Sequence, residues 1–297
     1  MADYGFSSAF LKAHPDVKKK VDQAIKGSWE MDKFLDALHT TSWWKKTSDA
    51  QKRFDVELHE NRAEVRDKLH KAYSSIWLIA ARLGVGLTNK QVKALGTSYV
   101  RNALSDAALR EAIGRLYRPG RAPSGLSQVA RGELQEMAGN YGVKIGGSAL
   151  ASLTKNVVMG RRTVEDFEEY FRAQARRSFP AVADQLDKGF TVRQILEPYL
   201  QMAASEVGVN PATIDITNGM WNAPIQYVTP KTAGKPGASH TGGPTVATPA
   251  GPRAMTFDEW TSTLRTDTRY GFDRTQGAQK QASILSGQLM EAFGAMG

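Results

Sequence analysis

The chain has 297 residues, a formal net charge of +9 and 41% hydrophobic residues, enough apolar material for a substantial core in one large domain or two ordinary ones. It contains no cysteine, which excludes disulfides, thiolate nucleophiles and thiolate metal sites. The start MADYGFSSAFLKAHPDVKKK lacks a basic segment followed by a continuous apolar run, and the longest apolar run, Ile76 to Ala81, falls far short of the roughly 20 residues that span a bilayer. The expectation is a soluble protein with no transmembrane segment, made and assembled in a cytoplasm.

Residues 1–121 read as a basic helical region, with 22 Lys and Arg against 14 Asp and Glu. An excess of that kind favours an acidic partner such as nucleic acid, an anionic membrane surface or an acidic protein cavity. The cluster Lys18, Lys19 and Lys20 comes first, followed by an amphipathic helix carrying Trp29, Phe34 and Leu38. Next is HTTSWWKKTSDAQKRFD, His39 to Asp55, which sets Trp43 and Trp44 among Lys45, Lys46, Lys52 and Arg53. Two readings of that stretch compete. The indoles can stack on bases while the cations track a phosphate backbone, or they can fill the angle between two helices with their N–H groups tied to loop acceptors. Single-strand platforms usually spread their aromatics over strands, which favours the second. Between Asp49 and Leu83 there is no Gly or Pro, and Phe54, Leu58, Val65, Leu69, Tyr73, Ile76, Ala80 and Leu83 keep helical spacing. The spacing predicts one long central helix over residues 49–83.

Residues 122–229 form a second helical region of nearly balanced charge. Its joints repeat a pattern also seen earlier: a Gly, then Ser or Thr, then an amphipathic run, as in KGSWEMDKF, VGLTNKQV, IGGSALASL, GRRTVEDF and GFTVRQIL. A left-handed Gly closes one helix and a Ser or Thr side chain caps the next; Thr163 with Asp166 comes close to a capping box. Pro180 is placed to stop one helix and open another, and Pro198 to kink or break one. The one strand candidate is MWNAPIQYVTP, Met220 to Pro230. Pro230 to Ala254 then holds five Pro and five Gly with no aromatic and no acid, the composition of a linker over 230–254. Residues 255–297 read as a helical tail on that tether.

The fold class expected is all-α: an irregular multi-helix assembly with a long central helix, a Pro/Gly-rich linker and a C-terminal helical tail. No His pair stands at four-residue spacing on a helix and no acidic run forms a calcium loop, so no metal and no cofactor are expected. Neither a phosphate-cradling Gly loop nor a Gly-x-Ser-x-Gly elbow occurs. Glu206, in SEVGVNP, faintly resembles the catalytic Glu segment of lytic transglycosylases, but Ser205 precedes it where those enzymes have a Ser after the Glu, and their later Gly-Leu-Met-Gln segment is missing. Trp260, Tyr270, Phe272 and Phe293 in the tail are candidate anchors for docking a partner; the other outcome is that they fold back on the main body.

Taken in order, TSWWKKTSDAQKRFD, RRSFPAVADQLDKGFTVRQILEPYL, EVGVNPATIDIT and MTFDEWTSTLRTDTRYGFDRTQGAQKQA resemble a set of virion proteins from tailed bacteriophages of actinobacteria. The likeness covers most of the chain, leaving out the Pro/Gly linker and much of Arg115 to Gly132. Proteins of that kind are internal virion or minor tail proteins, some fused to or encoded near tape-measure proteins. The resemblance implies a structural or genome-ejection role and supplies no catalytic residue. The reading is a non-enzymatic, homo-oligomeric virion component of the head interior or tail, partnered by other virion proteins and by packaged DNA. The alternatives are a DNA-binding protein acting through its basic first region and a peptidoglycan-cleaving transglycosylase.

Overall fold

In a computed structural model of the protein, residues 4–119, 124–226 and 253–294 are described, and within them the chain is all-α, with sixteen α-helices and no strand. It divides into two compact units: Met1–Gly132 with Ser148–Thr163, and Glu133–Gly147 with Val164–Gly297. The compact units are bounded elsewhere than the compositional division at 121, 229 and 254. They interleave because residues far apart in sequence share a core.

The first unit begins with α1 (Ser8–Ala13), α2 (Pro15–Lys26), α3 (Met31–His39) and α4 (Ser42–Lys46). Pro15 opens α2, where its missing N–H leaves no hydrogen bond unmade. Val17, Val21 and Ala24 then fall on one face of α2, Phe34 and Leu38 on one face of α3, and these bury together with Phe10, Leu11 and Trp43. The joint between α2 and α3 differs from expectation. Ser28, rather than Gly27, takes the left-handed conformation, with φ of 45°, and Glu30 occupies the cap position of α3.

The expected helix over 49–83 is two helices, α5 (Asp49–Glu60) and α6 (Arg62–Leu83). Ser48 and Gln51 form a capping box at the start of α5. The break falls at Asn61, whose backbone leaves the helical region at φ −132° and ψ 69° and whose side chain accepts from the Glu64 N–H at 3.3 Å. An asparagine can offer a helix N-terminus its own acceptor, so a new helix starts without Gly or Pro. α6 ends on Gly84 at φ 72°, where a Cβ would lie 1.8 Å from the Ser124 carbonyl oxygen, so only glycine fits. Thr88 and Gln91 box the start of α7 (Asn89–Arg101), and Ser105 caps α8 (Asp106–Arg115). The unit boundary passes through α9 (Gly125–Asn140) and the first residue of α10 (Gly147–Val158). α10 returns Val158 to a core with Ile76, Ala80, Leu109 and Ile113, and Gly114 permits this approach, since a Cβ there would lie 2.6 Å from Met159 Cγ.

The second unit contains α11 (Glu168–Ser178), α12 (Ala183–Asp187), α13 (Val192–Val207), α14 (Ala223–Gln226), α15 (Phe257–Thr266) and α16 (Gln276–Gly294). Pro180 starts a short 3-10 turn ahead of α12, whereas Pro198 lies inside α13, which runs unbroken to a left-handed Gly208. The expected strand is not formed: α14 occupies its middle, and residues 227–230 lie outside the described residues, as does most of the Pro/Gly-rich stretch. The tail is not a separate element. Trp260 and Leu264 of α15 bury against Ala203 of α13, together with Tyr270. Among the described residues, no helix is long and apolar enough to cross a membrane.

Candidate functional site

α4 is only five residues long, so its placement depends on caps. Thr41 accepts from the Trp44 N–H at 3.2 Å. From α2, Asp16 accepts from the Trp43 N–H at 2.9 Å and from the Ser42 hydroxyl at 3.1 Å. Burial works against the Asp16 carboxylate, but the N–H groups of Trp43 and Val17 outweigh it and hold its pKa below the usual carboxylate range. The SWWKK turn is therefore pinned at both its own cap and its neighbour.

The two indoles face different surroundings. Trp43 is 7% exposed, meets Phe10 edge-on with ring centroids 5.2 Å apart, and donates from Nε1 to Asp55 Oδ2 at 3.3 Å. Trp44 is half-buried. The Lys52 ammonium lies 3.9 Å from the centre of its ring, and His39 packs against it at 4.5 Å.

Beside them runs an open groove of about 750 Å³. Phe6, Trp43, Trp44 and Val56 supply its apolar surface, and Asp49, Lys52, Arg53, Glu57, Glu60, Asn61 and Glu64 supply its polar rim. The α5 residues among these recur every three or four positions, which puts them on one face of the helix. The rim sets four carboxylates against two cations. Lys52 is paired with Asp49 at 3.0 Å, and Lys68 bridges Glu57 and Glu64. The pairing with Lys68 holds the Glu64 carboxyl below its usual range.

The cations expected to contact nucleic acid are thus divided. Lys45 and Lys46 are exposed at the end of α4, and Arg53 is exposed on α5. Lys52 is committed to Asp49 and Trp44. On α2, Lys18 pairs with Asp22 at 2.6 Å, Lys19 is exposed and Lys20 half-buried. The structure brings α2 and α4 together through Asp16, yet Lys52 and Arg53 share their groove with an excess of acids.

The tail anchors need correction. Trp260 is fully buried and donates from Nε1 to the Tyr199 carbonyl at 3.0 Å, while the Tyr270 hydroxyl donates to the Met220 carbonyl at 2.7 Å. The Trp260 and Trp221 rings pack on Tyr270 at 5.3 and 5.4 Å. These side chains are interior, because an indole and a phenol that find backbone acceptors gain more from burial than from exposure. Phe272 is half-buried, with the Arg265 guanidinium 5.6 Å from its ring, and the Phe293 side chain lies outside the described residues. Both carboxylate oxygens of Glu206 accept from Arg265, at 2.8 and 2.9 Å.

Sequence reasoning missed Phe6, Val56, Glu57, Glu60 and Glu64 as groove residues. The α5 part was readable in principle as a stripe at three and four spacing; Phe6 reaches the groove only through the fold of α1. No family model, no curated protein and no solved structure matches this chain.

Proposed function

We propose that this chain is a non-enzymatic virion protein of a tailed bacteriophage, an internal or minor tail component that works by docking other virion proteins. The observation that carries the docking reading is the groove beside Trp44. Its indole, phenylalanine and valine surface under a rim with four acids and two cations suits a protein segment better than a phosphate backbone, which needs uncompensated cations. The ordered resemblance of four sequence blocks supports the virion setting, in the head interior or tail, with assembly in the host cytoplasm. Quantitative mass spectrometry of purified particles is the test: the chain should be present at a constant copy number, and its absence from particles overturns the proposal.

DNA contact is the second reading, favoured by the exposed Lys19, Lys45 and Lys46 on two joined helices. It requires binding to duplex or single-stranded DNA that weakens steeply with salt; a flat salt response ends it. Peptidoglycan cleavage would rest on Glu206, whose carboxylate is already engaged by Arg265. A zymogram without clearing by the parent protein disposes of that reading.

A further inference from the structure

We propose that His14, packed against His59, is an acid-sensitive latch, and that protonation of His14 releases α1 from α5 and loosens the aromatic surface of the groove. The two imidazoles stand perpendicular with centroids 6.2 Å apart. His14 lies at the junction of α1 and α2, His59 in the last turn of α5. Phe10 of α1 contacts both rings, at 4.5 Å to His14 and 5.9 Å to His59, and His14 also packs on Trp43 at 5.6 Å. Phe10 in turn stacks under Phe6 at 4.8 Å, and Phe6 and Trp43 both line the groove. The pair is therefore the polar end of the same aromatic stack.

The surroundings suit a neutral ring at His14. His59 beside it is fixed by packing rather than by a hydrogen bond at Nδ1, which is enclosed and has no partner among the described residues. The charged and titratable groups acting on His14 are Asp55 and His59 of α5, Asp16 of α2 and Arg101 of α7. Asp55 is already held by the Trp43 N–H and by Arg101 at 3.5 Å, and Asp16 by the start of α4. Neither is free to turn and neutralise an imidazolium at His14. Burial lowers the His14 pKa from its ordinary 6.5, and Asp55 pulls the other way without cancelling the effect. A base whose folded pKa is lowered takes up its proton more readily when unfolded. Its contribution to stability is then complete above pH 6.5 and is lost as the pH falls below that value.

Hydrogen exchange of the full chain at pH 7.5 and 5.5, corrected for intrinsic rates, tests the latch. Amides of Ser8–His14 should lose protection about tenfold or more while those of α6 keep theirs, and the His14→Gln/His59→Gln double variant should show no such pH response. Unchanged protection of α1 in the parent protein, or an equal pH response in the double variant, overturns the proposal. Should the double variant fail to fold, NMR titration of the parent protein decides. Opening of α1 must coincide with titration of His14, and titration of His14 with α1 still protected sinks the idea.

Discussion

Adjacent tryptophans with different partners should have different energetic weights. Trp43 fills a site bounded by Phe6, Phe10 and His14 and satisfies the buried Asp55. Truncating it opens a cavity and strips a buried carboxylate of a donor, so Trp43→Ala should cost about 3–5 kcal/mol, the range for large aromatic truncations in a core. Trp44 keeps one face toward the groove and Lys52, and Trp44→Ala should cost only about 1–2 kcal/mol, in keeping with partial burial and a modest cation–π contact. Urea denaturation of both variants measures the difference; equal losses would contradict this division. The sequence made the WW pair legible as a helix joint. It did not show which indole is interior, because a five-residue helix is too short for periodicity to mark a face.

At the scale of elements, caps and breaks were legible where the capping side chain sits at the usual offset, as with Thr88 to Gln91 and Thr191 to Gln194. They were missed at Asn61, where a polar residue in an unbroken helical pattern ends one helix and starts the next. α15 offers a measurable consequence of its cap. Thr256 and Glu259 form a capping box, and Arg253 donates to both Glu259 oxygens, at 2.8 and 2.6 Å. The Arg253 hydrogen bonds first, then the Thr256 N–H, pull the Glu259 carboxyl from 4.5 down to about 2. For an acid lowered on folding, the stabilisation is present above the unfolded value and disappears as the pH falls through the folded one. Stability of the α13–α15 packing should therefore decline between about pH 4.5 and 2, followed by the fluorescence of the buried Trp260. Glu259→Gln should remove the part of that decline that belongs to this carboxyl, leaving a shallower profile at a lower plateau.

The all-α class was legible from the joints and the sparse strand signals, but the interleaving of the compact units was not. Composition breaks near 121 and 230 suggested linear segments, whereas the chain passes between the compact units three times. Local sequence carries no mark of this, since it depends on Val158 and Met159 meeting α8 from far along the chain. The fragment 1–132 should consequently lack cooperative unfolding, or unfold at clearly lower urea than 1–163, which restores α10. Circular dichroism of the two fragments decides it: identical stability would mean that α10 is dispensable to the first core.

The late return of α10 also sets an order of events during synthesis. A ribosome releases this chain from the N-terminus, and domains generally fold as they emerge. The fully buried residues of the cluster around Phe10, Phe34 and Trp43 all precede α5 and can assemble early, with Val56 of α5 packing on them as that helix emerges. The core around Ile113 cannot close until Val158 has left the exit tunnel, and residues 133–147, which belong to the other unit, emerge before it does. Nascent chains stalled before and after α10 should thus differ in protease resistance, with the first unit fully protected only in the longer one.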